Sequence, residues 1–184
     1  LGLKVLDGEG HGYVSDVITT AAIEFIEGQR EKPFFVYLPF NCPHGPFEVP
    51  EEYYSPYKAM DLSADQFPKV GNPLPAKLPI DETARAYGMI TNIDDNVGRL
   101  LAKLDQLKLA DDTIVVWSSD NGADTTYHFP AIDPDPVGGQ WHGFSGPWRG
   151  GLVTALEGSN PTPCFGRWPG KAPAGKGSHE LVHA

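Results

Sequence analysis

Asp120-Asn121-Gly122 closes the apolar run Thr113–Ser119. It sets a carboxylate beside a neutral amide carbonyl, two hard oxygen donors suited to Ca2+ or Mg2+ rather than zinc. The same tripeptide is ordinary turn chemistry, so alone it leaves a metal site and a plain turn equally open. His44 is the second chemical candidate, in the loop Asn41-Cys-Pro-His-Gly-Pro46. Read from its neighbours alone, it is equally a site residue or a structural histidine. A third region runs from Gly122 to Gly151, rich in Gly and Pro and carrying His128, Trp141, His142 and Trp148. Long ordered loops beside strand ends are usually functional.

These residues need elements to position them. Thr113–Ser119 reads as a buried strand that Gly122 ends, placing Asp120 and Asn121 at a strand's carboxyl end, where open α/β sheets hold their ligands. Ser15–Glu27 reads as a short amphipathic helix closed by Gly28. Pro33–Leu38 reads as a strand too apolar to have a wet face. Residues 48–80, rich in Pro, Tyr and Lys, read as an irregular surface excursion. Asp81–Leu107 carries the strongest helical pattern: Ala86, Ile90, Ile93, Val97, Leu100, Leu104 and Leu107 form one apolar stripe. Asp111 and Asp112 turn the chain into the next strand. Asn160–Pro169 reads as a further short strand with a turn at Pro169-Gly170. Helix, strand, helix and strand in this order predict parallel pairing with crossover helices, an α/β layered fold.

The chain has 184 residues, 40% hydrophobic and 21% charged, enough for one domain with a sizeable core. A formal charge of −10, with scattered Lys and Arg, argues against a nucleic-acid surface. No apolar run approaches the roughly 20 residues of a membrane span. Cys42 and Cys164 make neither a disulfide framework nor a zinc knuckle and are expected as buried free thiols. The first residue is Leu1, and the chain is expected to be a piece of a longer protein.

Three blocks in order, Pro39-Phe-Asn-Cys-Pro-His-Gly-Pro46, Ser119-Asp-Asn-Gly122 and Gly146-Pro-Trp-Arg-Gly150 with Leu156-Glu-Gly158 and Arg167-Trp-Pro-Gly170, resemble the sulfatase family. The likeness is to type I, arylsulfatase-like enzymes of the alkaline phosphatase superfamily. It implies a mixed, mostly parallel sheet flanked by helices, with residues 1–184 an incomplete fragment, the later part of one catalytic domain. It also implies hydrolysis of a sulfate monoester by a formylglycine nucleophile, with Ca2+ as cofactor and a small-molecule or glycan sulfate ester as substrate. Asp120 and Asn121 match the family's later calcium ligands, and His44 matches the histidine that protonates the leaving oxygen. Asn rather than His at 121 favours calcium over zinc. The nucleophile motif, a Cys or Ser followed at two residues by Pro and at four by Arg, is expected nowhere in these 184 residues but ahead of Leu1; Cys42, followed directly by Pro43, does not begin it. The isolated fragment is therefore expected to be inactive and to bind Ca2+ weakly.

Leu152 stands where the family commonly has a sulfate-binding Lys, and Pro161 where it has an Arg. Arg149 or His142 is expected to supply the missing positive charge. Trp141, Trp148 and Trp168 read as packing residues, Glu157 as structural support for the Gly-rich loop, and Asp94 and Asp95 as solvated. His128 is equally a solvated loop residue, His179 and His183 read as surface or capping residues, and Asp124 either supports the metal site or is a turn acid. A phosphate or phosphonate monoester hydrolase of the same superfamily, and a non-catalytic module binding sulfated glycans, are the rival readings. Export to the periplasm or cell exterior is implied by the family alone.

Overall fold

The computed structural model describes residues 12–70, 78–124, 143–152, 154–160 and 162–177. Helix α1 spans Val14–Gln29, α2 spans Glu51–Lys58 and α3 spans Ile80–Gln106. Strand β1 spans Val115–Ser118 and strand β2 spans Cys164–Arg167. The two strands pair antiparallel, Val115 opposite Arg167 and Ser118 opposite Cys164.

Helix α3 is the spine, packed against both other helices. Asp81 and Glu82 in its first turn and Lys103 in its last complement the helix dipole. The predicted stripe is buried at Ala86, Ile93 and Leu104, but Ile90 is 47% exposed. The reason lies in what α3 packs against. One side meets α2 so closely that a Cβ on Gly88 would overlap the Tyr53 carbonyl. Tyr54, Leu62 and Ala84 form the core there, with Val49, Tyr57 and Tyr87 packed around it. The other side meets α1 through a polar ladder. Asn92 and Asn96, both essentially inaccessible, donate through Nδ2 to Asp16 Oδ1 at 2.9 and 2.7 Å. Arg99 adds bonds to Asn96 Oδ1 (2.7 Å) and Thr20 Oγ1 (2.8 Å). Lys108, at φ 57°, closes α3, with Leu109 N–H bonded to the Leu104 carbonyl in a Schellman-type stop.

Several expectations are corrected. Gly28 lies inside α1 rather than closing it, and Arg30 follows the last turn. Pro33–Leu38 forms no strand: Phe35 and Tyr37 are 85% and 79% exposed, alternating with half-buried Phe34, Val36 and Leu38. Apolar content alone does not make a strand where no described neighbour pairs with it. Residues 48–80 are not all irregular, since α2 follows Pro50 and carries Glu51 and Glu52 in its first turn. Strand β1 is not buried on both faces, because Val116 is exposed. Cys164 and Trp148 are exposed and Cys42 is half-buried; both cysteines are free. Asp94 and Asp95 are exposed, and Asp95 accepts a hydrogen bond from Tyr53 (3.0 Å).

Candidate functional site

The segment after β1 carries the oxygen donors. Ser119 N–H bonds to the Pro163 carbonyl (3.3 Å), and its hydroxyl donates to the Asn121 carbonyl (3.1 Å). Asp120 Oδ1 accepts from the Asn121 backbone N–H at 2.9 Å, a local bond that holds the carboxylate against its own main chain. Asn121 Nδ2 donates to the Gly122 carbonyl at 2.9 Å, which settles the amide's orientation and turns its oxygen away from that bond. Asp120 is exposed and Asn121 half-buried. Among the described residues no group of three or more His, Cys, Asp or Glu side chains is arranged to hold a metal ion.

Behind this segment, backbones meet backbones. Gly122 N–H bonds to the Ser159 carbonyl (2.8 Å), and Gly158 N–H bonds to the Arg149 carbonyl (2.8 Å). Leu152 N–H bonds to the Ala123 carbonyl (2.9 Å), and Gly143 N–H to the Asp124 carbonyl (2.7 Å). A Cβ on Gly122 would overlap the Gly158 carbonyl, and one on Gly158 would overlap the Gly150 carbonyl. Gly150, at φ 87°, combines close approach with a conformation that L side chains avoid. Ser145 donates its hydroxyl to the carbonyls of Gly150 (3.0 Å) and Gly158 (3.4 Å). Ser145-Gly-Pro-Trp-Arg149 has the spacing of the nucleophile motif, which corrects the expectation that these 184 residues lack it. Here that serine hydroxyl is committed to two carbonyls and fastens the turn. The Gly-Pro-Trp-Arg-Gly and Leu-Glu-Gly blocks are thus the two halves of one knot, and Glu157 opens a 3-10 turn in it.

His44 lies in the other half of the chain, in the loop that precedes α2. Its loop turns on a His44 N–H bond to the Asn41 carbonyl (3.3 Å), and the ring is exposed. Nδ1 lies 2.7 Å from the Gly45 carbonyl. A carbonyl only accepts, so Nδ1 carries the hydrogen, and Nε2 is the nitrogen left for chemistry. Partial enclosure raises the Asp124 carboxyl above its ordinary value, while the positive charge of His44 acts to lower it. An open cleft of about 590 Å3 adjoins His44, lined among others by Tyr13, Cys42, Glu48, Val49 and Met89. Cys42 Sγ lies 3.5 Å from both Tyr13 OH and Ser15 Oγ. Burial, with Cys42 beside it, pushes the Tyr13 phenol well above its usual range, so it stays protonated.

Arg149 is exposed, its carbonyl held by Gly158, and no described contact joins its guanidinium to Asp120, Asn121 or His44. His142, Trp141, His128, Pro161, His179 and His183 lie outside the described residues. Trp168 is half-buried, donating to the Asp111 carbonyl (3.2 Å) under the Lys171 ammonium.

A sequence model of the family Sulfatase matches residues 4–184. The N-acetylgalactosamine-6-sulfatase of Canis lupus familiaris is 28% identical over 174 residues, which cover 94% of this chain and 27% of that protein. The N-acetylgalactosamine-6-O-sulfatase of Bacteroides thetaiotaomicron is 28% identical over 168 residues, covering 89% of this chain and 27% of that one. Among solved structures, Ps i-CgsB in complex with k-i-k-neocarrahexaose superposes with a TM-score of 0.65 at 25% identity, over 92% of this chain and 32% of its own. The chain thus spans about a quarter of the length of the curated relatives it matches.

Proposed function

The chain belongs to the sulfatase family, and from that premise we propose that it is the later part of a catalytic domain that hydrolyses sulfate monoesters of glycans. The observation that carries this reading is His44, with Nδ1 engaged by Gly45 and its Nε2 available beside an open cleft. The two glycan-6-sulfatase relatives and the carrageenan-oligosaccharide complex support a sulfated glycan as the substrate class.

In this reading His44 donates a proton from Nε2 to the bridging oxygen as the S–O bond breaks, while its Nδ1–H bond to Gly45 holds the ring plane. Asp120 and Asn121 fit a hard divalent cation as part of a donor set: one carboxylate held against its own main chain and one amide oxygen without charge. Calcium, when bound, would supply Lewis-acid stabilisation of the transferring group. Asn121 adds a ligand without adding negative charge, which suits an anionic substrate in a chain of net charge −10. Arg149 and His142 are proposed to bind the sulfate in place of the Lys that Leu152 replaces. A formylglycine in a segment outside these 184 residues supplies the nucleophile, and the mixed, mostly parallel sheet is completed by that same segment. Export from the cell is proposed on family grounds; no helix of the described residues is long and apolar enough to cross a membrane.

The test is kinetic. In the full-length protein, His44→Gln should lower kcat/KM about 10²- to 10⁴-fold for alkyl sulfates and far less for 4-nitrophenyl sulfate, whose leaving group needs no proton. Equal losses on both esters would remove His44 from the acid role. Faster turnover of 4-nitrophenyl phosphate than of the sulfate would favour the phosphate-hydrolase reading instead.

A further inference from the structure

The cleft beside His44 has a polarity that the hydrolytic reading does not use. Imidazole lies at one part of its wall, and Glu48 is the one acidic side chain among its described lining residues. The apolar part of the wall comes from Pro46, Val49, Pro50 and Met89, and the neutral polar part from Tyr13, Asn41 and Cys42. Glu48 is held in place by its backbone, N–H to the Pro46 carbonyl at 2.8 Å, and its side chain is exposed.

Resting on the sulfate-ester reading, we propose that this cleft receives the alcohol side of the ester and that Glu48 selects the charge of that alcohol. A proton donor must face the bridging oxygen, so a concavity adjoining His44 holds the atoms beyond that oxygen rather than the sulfate. Its volume is ample for a single sugar or aryl ring. The apolar wall suits the C–H face of such a ring, and the Glu48 carboxylate accepts hydrogen bonds from hydroxyls or pairs with an ammonium. The same carboxylate repels a leaving group that bears a second carboxylate or sulfate. The specificity is therefore for neutral or cationic alcohols over anionic ones.

The experiment uses the full-length protein and two aryl sulfates of similar size, 4-(aminomethyl)phenyl sulfate and 4-carboxyphenyl sulfate. The quantity read is the ratio of their kcat/KM values, so that a general loss of activity cancels. Unit charges several ångströms apart in partly screened surroundings should bias this ratio about tenfold toward the cationic ester in the wild type. Glu48→Gln should remove most of the bias, and Glu48→Lys should invert it, a change of sign that partial unfolding cannot produce. A ratio identical in all three proteins would overturn the Glu48 assignment while leaving the hydrolase reading intact. Absence of turnover on any sulfate ester by the wild type would overturn the hydrolase reading, and this proposal with it.

Discussion

The helical half and the half around Asp120 are held together by different kinds of contact. In the first, side chains hold the elements: Tyr54, Leu62 and Ala84 fill a core, and Asp16 of α1 binds both Asn92 and Asn96 of α3. In the second, main chains touch directly, at Gly122, Gly143, Gly150 and Gly158, with little apolar burial behind them. The first arrangement tolerates a change of side chain in proportion to what is lost. The second depends on few side chains, Ser145 chief among them, and at its glycines tolerates almost no gain.

That contrast makes ordered predictions. The largest effect is expected from Gly158→Ala, whose methyl would displace the Gly150 carbonyl; a loss of about 4 kcal/mol or more is expected in denaturant melts, as for other forced overlaps. If Gly158→Ala melts like the parent, the backbone account of this half is wrong. Asp16→Ala should come next, at about 1–3 kcal/mol, because the Nδ2 groups of buried Asn92 and Asn96 lose their charged acceptor. Should Asp16→Leu restore stability to the parental level, the ladder would be replaceable packing rather than a required network.

The smallest effect separates the halves by pH. Hydrogen bonds from Tyr54 and then Arg85 hold the Asp81 carboxyl below its ordinary value. Its contribution is therefore complete above about pH 4, the unfolded carboxylate value, and is lost as pH falls through the lower folded value. Asp124 behaves oppositely: enclosure raises its carboxyl, so it weakens the fold once ionised and relieves that cost as pH falls. Asp81→Asn should flatten the acid limb of the stability curve, whereas Asp124→Asn should lift the curve near neutrality. Melting curves at pH 3–8 decide this, and parallel shifts for the two variants would erase the distinction.

Helix α3 was readable because its apolar residues repeat at three and four. The side of it that packs most closely was not, since Gly88, Asn92 and Asn96 carry no hydrophobic signal. Helix α2 escaped notice because eight residues containing Pro56 are too short to show a period. Strand β2 and its Pro169-Gly170 turn were legible from composition, while the exposed face of β1 was not, since an apolar run does not announce which side lacks a neighbour. At the site, Asp120, Asn121 and His44 could be named from residue type and motif order. The use of Gly122 and Gly158 could not, because a glycine needed for space is spelled like one needed for a turn.

Two hydrogen bonds described above, Gly122 N–H to Ser159 and Gly158 N–H to Arg149, pass through adjacent residues. The oxygen-donor segment and the Arg149 turn therefore share one short strap, beside the bonds of Ser119 to Pro163 and of Leu152 to Ala123. Sequence drift at 158 or 159 would shift both ends together, so the lineage cannot retune one without disturbing the other. New substrate preferences would have to be acquired where no such strap runs, on the side of the cleft that carries Glu48.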